Sequence, residues 1–373
     1  MLAVDCNFPG GNIILDRIDG NSIELHQDMR DTTIDWFYWY FRVCGAAGQT
    51  ITVRFTGSDV IGARGPAVSL DGGLTWCWLG MSCVNGQSFS YAVPPGTDEV
   101  RFSLGMPYLQ SNFQAFLSKY AGHPGLKQSV LCMSRQGRPV ELFYMGRMDE
   151  QPPYRVALTC RHHCCEMMAS YSLEGIMATV LGESAAGRWL RENVAFMVAP
   201  FVDKDGVEDG DQGKGRHPYD HNRDYAGVSL YPEVAALRQL IPQWSRNRLD
   251  FYLDLHCPWI RGDTNEYIYF VGLADPALWQ QTQAFSSILE ANRRGPLPYY
   301  QKDNMPFGVS WNTGTPPGCK TSDEWAGELP GVHFSSTVEI AYANANGGEV
   351  TAESARSFGV DLANAMSIYL RNL

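Results

Sequence analysis

Short apolar runs broken by Gly, Asn and Asp occupy the first third of the chain, and their pattern predicts β-strands. Ile51–Phe55 and Glu99–Leu104 alternate apolar and polar residues, as half-buried strands do. Ile34–Val43 is dense in aromatic and β-branched residues, which favour strands. An Asp-Gly-Gly turn between apolar flanks predicts a hairpin over Ser69–Trp76. Strands at this spacing predict an antiparallel β-sandwich domain over residues 1–105.

The rest of the chain, residues 106–373, has the pattern of an α/β domain. Near-continuous apolar runs are typical of strands buried on both faces, and they cover Arg155–Thr159, Asn193–Ala199, Leu249–Leu255 and Phe334–Ile340. Helical patterns alternate with them, at Glu166–Leu181, Glu233–Leu240 and Thr351–Leu370. This alternation predicts a sheet with helices on both faces, beginning near Gly105.

Composition narrows the class of protein. The 373 residues carry 29 Lys and Arg against 40 Asp and Glu, a net charge of −11, which disfavours nucleic acid as a partner. Apolar runs stay shorter than the roughly 18 residues of a membrane-spanning helix, so no membrane association is expected. The N-terminus does not resemble a secretory signal, and ten scattered cysteines lack a C-x-x-C pair. These features predict a cytoplasmic protein with free thiols.

Three of the eight histidines directly follow predicted strands, where sites form in α/β sheets. His163 and Glu166 have the H-x-x-E spacing, which places an imidazole at a strand end and a carboxylate at the next helix start. His256 follows another strand. These three side chains form a His2Glu set that binds zinc and leaves one coordination position open.

Other interpretations of this region stay open at the level of sequence. His162 competes with His163, although side-chain alternation turns only one of two neighbours toward a site. Cys164 and Cys165 could ligate a metal, or one of them could act as a nucleophile beside a histidine. The glycine-rich stretch Gly210–Gly215 lacks the spacing of a phosphate-binding loop.

Two further elements suit catalysis. The stretch Asp220-His-Asn222-Arg223 lies in a polar loop, and an Arg beside an Asn can grip a carboxylate through paired hydrogen bonds. Arg223 could instead form a structural ion pair with a neighbouring aspartate.

Glu339 is a lone carboxylate within an apolar strand, which is costly without a partner or a function. Beside a metal it would act as the general base on water.

The order of these motifs, His163-x-x-Glu166, Asp205-Gly206, Asp220-x-Asn222-Arg223, His256 and Glu339, resembles the zinc carboxypeptidase family. Within it, the chain looks most like the cytosolic carboxypeptidases and their bacterial relatives. Those proteins carry an N-terminal β-sandwich with an aromatic strand, as at Trp36–Phe41, and a Pro-Tyr at the domain junction, as at Pro107-Tyr108. The resemblance implies a mixed-sheet α/β catalytic domain preceded by the antiparallel β-sandwich.

The resemblance also implies roles for residues. The family arginine that polarises the scissile carbonyl has no direct match, so Lys214 or Arg216 is expected to replace it as the oxyanion donor. The mobile tyrosine of the family has no counterpart either, since Gly308–Val332 contains no Tyr. Asn222 and Arg223 are expected to hold the terminal carboxylate of the substrate.

The sequence therefore predicts a zinc metallocarboxypeptidase that removes a C-terminal residue from a peptide or protein. Some cytosolic members of the family trim glutamates, so a glutamyl bond is one expectation for the substrate. A zinc deacylase of N-acyl amino acids and an inactive binding homologue are the alternatives. Side-chain specificity and oligomeric state do not follow from the sequence.

Overall fold

The computed structural model describes residues 2–149 and 151–373. The N-terminal part contains short strands: β1 Ala3–Asp5, β2 Ile14–Asp19, β3 Ser22–His26, β4 Tyr40–Cys44, β5 Thr50–Phe55, β6 Ala67–Ser69, β7 Cys77–Trp78, β8 Val84–Asn85, β9 Ser88–Ala92 and β10 Glu99–Ser103. They form two sheets, in the orders β1-β4-β10-β6-β7 and β2-β3-β5-β9-β8. Aromatic rings join the two sheets: Phe102 of one lies 5.1 Å from Phe89 of the other, centroid to centroid.

Two features of this part differ from the sequence prediction. Strands β3 and β5 pair in parallel, so the sandwich is not antiparallel throughout. Of the predicted strand Ile34–Val43, only the residues from Tyr40 onward enter a sheet, as part of β4. The preceding rings of Trp36 and Phe37 pack instead against Trp259, whose centroid lies 4.8 Å from each. Contact with the C-terminal part therefore replaces strand pairing there.

The remaining elements are a mixture of strands and helices. They are α1 Gln110–Ser118, β11 Leu126–Met133, β12 Pro139–Gly146, β13 Tyr154–Cys160, α2 Met167–Leu181, α3 Ala185–Asn193, β14 Val194–Ala199, α4 Lys204–Asp209, α5 Pro232–Ser245, β15 Phe251–His256, β16 Tyr269–Val271, α6 Pro276–Asn292, α7 Ser322–Gly327, β17 Phe334–Glu339, β18 Asn344–Ala345, β19 Gly348–Glu349 and α8 Ala352–Arg371. Short 3-10 turns occur at Met81–Cys83, His221–Arg223, Asp263–Glu266 and Gln301–Asp303.

A central mixed sheet organises this part, in the order β11-β12-β14-β13-β15-β17-β16. Its middle strands β14, β13, β15 and β17 run parallel, while β11, β12 and β16 run antiparallel to their neighbours. Helices α2, α3, α6 and α8 cover one face, and α5 and α7 cover the other. The predicted mixed α/β class is confirmed. Within the described residues, no helix is both long and apolar enough to cross a membrane.

Candidate metal centre and active site

The candidate site lies where the parallel strands end. His256 is the last residue of β15, and it pairs in register with Glu339, the last residue of β17. His163 follows the neighbouring strand β13, after a turn in which Arg161 has a φ of 62°. The Arg161 guanidinium donates to the carbonyls of Tyr108 and Cys164, and these bonds support this rarely populated backbone conformation. Glu166 directly precedes α2.

Three ligand-type side chains converge at this point. His163 Nδ1 lies 2.8 Å from Glu166 Oε1, and His256 Nδ1 lies 2.8 Å from Glu166 Oε2. The two Nδ1 atoms are 3.2 Å apart. A tetrahedral zinc site with metal–nitrogen bonds of about 2.0–2.1 Å has neighbouring ligand atoms about 3.3 Å apart. The residues present therefore fit a zinc ion, and their assignment as ligands stays a prediction.

The far side of each imidazole faces a carboxylate. His256 Nε2 lies 2.6 Å from Asp254 Oδ2, and His163 Nε2 lies 3.5 Å from Asp220 Oδ1. Such partners fix the tautomer and the ring orientation of metal-binding histidines. Asp254 precedes His256 by two residues on β15, so both side chains point to the same face of the sheet. That i, i+2 spacing is the sequence signal that could have identified Asp254.

His162 and the cysteines have other surroundings. The two ring nitrogens of His162 are hydrogen-bonded, Nδ1 to Asp254 at 2.9 Å and Nε2 to the Tyr225 hydroxyl at 2.8 Å. This leaves His162 as a buried support for Asp254 and favours His163 as the ligand. Burial raises the pKa of the Cys165 thiol to about 12, and Cys164 donates to the Asp211 carbonyl. A protonated thiol is neither a good nucleophile nor a good ligand.

Glu339 is buried beside this cluster. Burial, assisted by the charge of Glu166, raises the pKa of the Glu339 carboxyl to about 7, although His256 and Lys214 oppose the shift. A carboxyl group with a pKa near neutrality can both accept and return a proton, which suits a general base.

The two candidates for the oxyanion donor have different surroundings. Lys214 lines the same pocket as Glu339, whereas Arg216 does not line it. The Arg216 guanidinium lies 2.7 Å from Asp203, 3.0 Å from Asp211 and 3.3 Å from Asp31. Burial opposes the charge of Arg216, but these carboxylates outweigh it and raise the pKa of the guanidinium. Ion pairing occupies the Arg216 side chain, so this arrangement favours Lys214 as the oxyanion donor, and the assignment stays a prediction.

Asn222 and Arg223 also line the pocket. Asn222 Oδ1 accepts from the Ser322 backbone, which fixes the amide beside His256. Arg223 donates to its neighbour's carbonyl at 2.9 Å. The aspartates considered as its ion-pair partners have other contacts: Asp220 approaches His163, and Asp224 accepts from the backbone at Leu230 and Tyr231. This arrangement favours a guanidinium available to a ligand.

The pocket has about 580 Å³ of empty space, part of it open to solvent. The sequence motifs did not indicate several residues of the pocket, because these residues come from the long segment between β16 and β17. They are Phe307, Trp311, Thr315, Asp323 and Glu324. Asp323 accepts from the Thr321 hydroxyl at 2.6 Å and from the Thr337 hydroxyl at 3.0 Å. Thr337 precedes Glu339 by two residues, so both side chains point to the same face of β17. The contact with Thr337 therefore places Asp323 near the face of the strand that carries Glu339.

No family model matches the sequence. An uncharacterized protein from Zymomonas mobilis is 26% identical over 265 residues, which are 68% of this chain and 67% of that protein. Cytosolic carboxypeptidase 3 from Mus musculus is 28% identical over 179 residues, which are 45% of this chain. The chain spans only 18% of the length of that carboxypeptidase.

Among solved structures, a metallo-carboxypeptidase from Burkholderia cenocepacia superimposes on the whole chain with a TM-score of 0.79. The match covers 100% of this chain and 99% of the other, at 21% identity. The chain has the metallo-carboxypeptidase fold and is related to the cytosolic carboxypeptidases. The resemblance indicated by the sequence motifs is thereby confirmed.

The metal assignment predicts the effect of removing single ligands. The protein should bind close to one zinc ion per chain, and His163→Ala and His256→Ala should each lose it, since two remaining ligands bind zinc weakly. Metal analysis after dialysis measures this. His123→Ala removes a histidine outside the pocket and should retain the metal. Full zinc content in both ligand variants would exclude this site.

The raised pKa of Glu339 predicts a pH-dependent stability of the metal-free protein. Its folded pKa of about 7 exceeds the ordinary value of 4.5, so its stabilising contribution is complete below 4.5 and is lost as the pH rises through 7. Glu339→Gln mimics the protonated form. At pH 8 it should raise the free energy of unfolding by about 3 kcal/mol, and near pH 4 by almost nothing. Urea unfolding with a chelator measures both; equal effects at the two pH values would contradict the shift.

Proposed function

We propose that the chain is a zinc-dependent carboxypeptidase that hydrolyses the C-terminal peptide bond of a peptide or protein. The observation that carries the proposal is the arrangement of one pocket. The two histidines of the His2Glu cluster, a buried carboxyl group with a pKa near 7 and an arginine beside an asparagine line the same cavity. A metal, a base and a carboxylate clamp are the parts that this reaction needs.

The residues of the chain would share the reaction as follows. His163, Glu166 and His256 would hold the zinc ion, which when bound would lower the pKa of water to about 7 and polarise a carbonyl. Glu339 takes the proton of the attacking water and returns it to the nitrogen of the leaving amino acid. Lys214 stabilises the negative charge that develops on the carbonyl oxygen.

Recognition of the chain end would depend on Arg223 and Asn222. A peptide backbone does not by itself mark where a chain ends, whereas a terminal carboxylate does. The planar guanidinium of Arg223 can donate two parallel hydrogen bonds to that carboxylate, and Asn222 can add a neutral donor. This clamp would place the last peptide bond, rather than an internal one, at the metal.

A C-terminal glutamate is the substrate that the family resemblance suggests, but the charges of the pocket do not favour it. Asp323 and Glu324 line the pocket together with Glu339. The two cations in the lining, Lys214 and Arg223, are assigned above to the scissile carbonyl and to the terminal carboxylate. The side chain of a glutamate would therefore meet carboxylates, so we expect neutral or basic terminal residues to be preferred.

Peptides that differ only at the C-terminus test the proposal. The zinc-loaded protein should release the last residue from free-acid peptides ending in Leu or Lys faster than from peptides ending in Glu. It should leave C-terminally amidated peptides intact, because they lack the charge that Arg223 binds. Arg223→Ala should lower kcat/KM roughly 30- to 1,000-fold, which corresponds to a loss of about 2–4 kcal/mol of transition-state stabilisation, with zinc content unchanged.

Arg188→Ala is the matched control, because it removes an arginine of α3 that does not line the pocket. Equal cleavage of amidated and free-acid peptides would contradict a carboxypeptidase. Hydrolysis of N-acetyl amino acids without hydrolysis of peptides would support the deacylase alternative. Zinc binding without any hydrolysis would support the inactive binding homologue.

A further inference from the structure

The short segment that carries Lys214 is held by the N-terminal part of the chain. Asp31, between β3 and β4, accepts from both backbone N–H groups that precede Lys214. Its Oδ1 accepts from Gln212 at 2.9 Å, and its Oδ2 accepts from Gly213 at 2.8 Å. The same carboxylate lies 3.3 Å from the Arg216 guanidinium. One side chain of the N-terminal part thus binds the chain on both sides of Lys214.

The residue after Lys214 is held in the same way. The backbone N–H and the hydroxyl of Thr33 both donate to the Gly215 carbonyl, at 3.1 and 2.9 Å. The ammonium of Lys214 lies 5.8 Å from the centroid of the Trp36 ring. Residues 31–36 therefore contact the backbone around Lys214 and its charged group.

The other side of the segment abuts the metal-ligand loop. Gly213 has a φ of 76°, and a Cβ at that position would lie 2.5 Å from the Cys164 backbone nitrogen. Cys164 directly follows His163. The segment is thus confined between the N-terminal part and the loop that carries a candidate ligand, so little freedom remains for the backbone at Lys214.

We propose that Asp31 and Thr33 are positioning residues that fix Lys214 over the scissile carbonyl, so that the N-terminal part completes the active site. The proposal rests on the proposed function, since it assigns Lys214 the oxyanion. Asparagine cannot replace Asp31, because its single acceptor oxygen serves one of the two N–H groups. Its amide N–H2 would then face the other N–H group and Arg216.

A double-mutant cycle tests the proposal with zinc-loaded protein and a free-acid peptide. Lys214→Ala should lower kcat about 10²–10³-fold, as the loss of one oxyanion donor does. Asp31→Asn should lower kcat at least tenfold, with little change in KM and with full zinc content. Because both changes act on one group, the double variant should lose no more than Lys214→Ala alone. The proposal would be overturned if the two reductions of kcat multiplied in the double variant, or if Asp31→Asn kept full activity.

Matched variants separate positioning from general stability. Asp5→Asn breaks another ion pair of the N-terminal part, with Arg42 at 3.0 Å, and should leave kcat unchanged. If Asp31→Asn does not fold, Thr33→Val can replace it, because this change removes one hydrogen bond to Gly215. Thr33→Val should lower kcat about two- to tenfold, and this loss should not multiply with the loss caused by Lys214→Ala. The proposal would be overturned if Thr33→Val left kcat unchanged, or if its loss of kcat multiplied with that of Lys214→Ala. Failure of the proposed function is recognised separately, because the parent protein would then hydrolyse no peptide.

Discussion

Two imidazole nitrogens and one carboxylate directed at a single buried point are the arrangement on which the rest of the site depends. The three groups lie 2.8–3.2 Å from one another, spacings that a shared cation stabilises and an apolar core does not. Their geometry requires that β13 and β15 be parallel neighbours, since each strand delivers one histidine. It also requires Asp254, which holds His256 from behind and is itself supported by His162.

Much of the site could be predicted from sequence because its members follow recognisable strands. His163 and His256 follow apolar runs, Glu339 lies within one, and Glu166 stands three residues after a histidine, so order along the chain predicts proximity in space. The choice between Lys214 and Arg216 could not be made in this way. It depends on Asp31, Asp203 and Asp211, carboxylates that the fold gathers from distant positions around Arg216.

The same reason explains the errors in the N-terminal part. Local composition predicted a strand over Ile34–Val43, but Trp36 and Phe37 pack against Trp259, which is more than 200 residues away in sequence. Long-range burial of aromatic rings outweighs local strand preference there. The consequence is functional, because the chain before this aromatic cluster then contacts the segment of Lys214. Residues 31–36 of the N-terminal part consequently contact the segment around Lys214, and Lys214 itself lines the pocket.

We propose that His163, Glu166 and His256 hold one zinc ion in this pocket. Anomalous diffraction measured on both sides of the zinc absorption edge, from crystals of zinc-loaded protein, tests it most directly. We expect a single strong peak about 2.0–2.2 Å from Nδ1 of both histidines and from the carboxylate of Glu166. A peak among His162, Asp254 and His256, or no peak in the pocket, would contradict it.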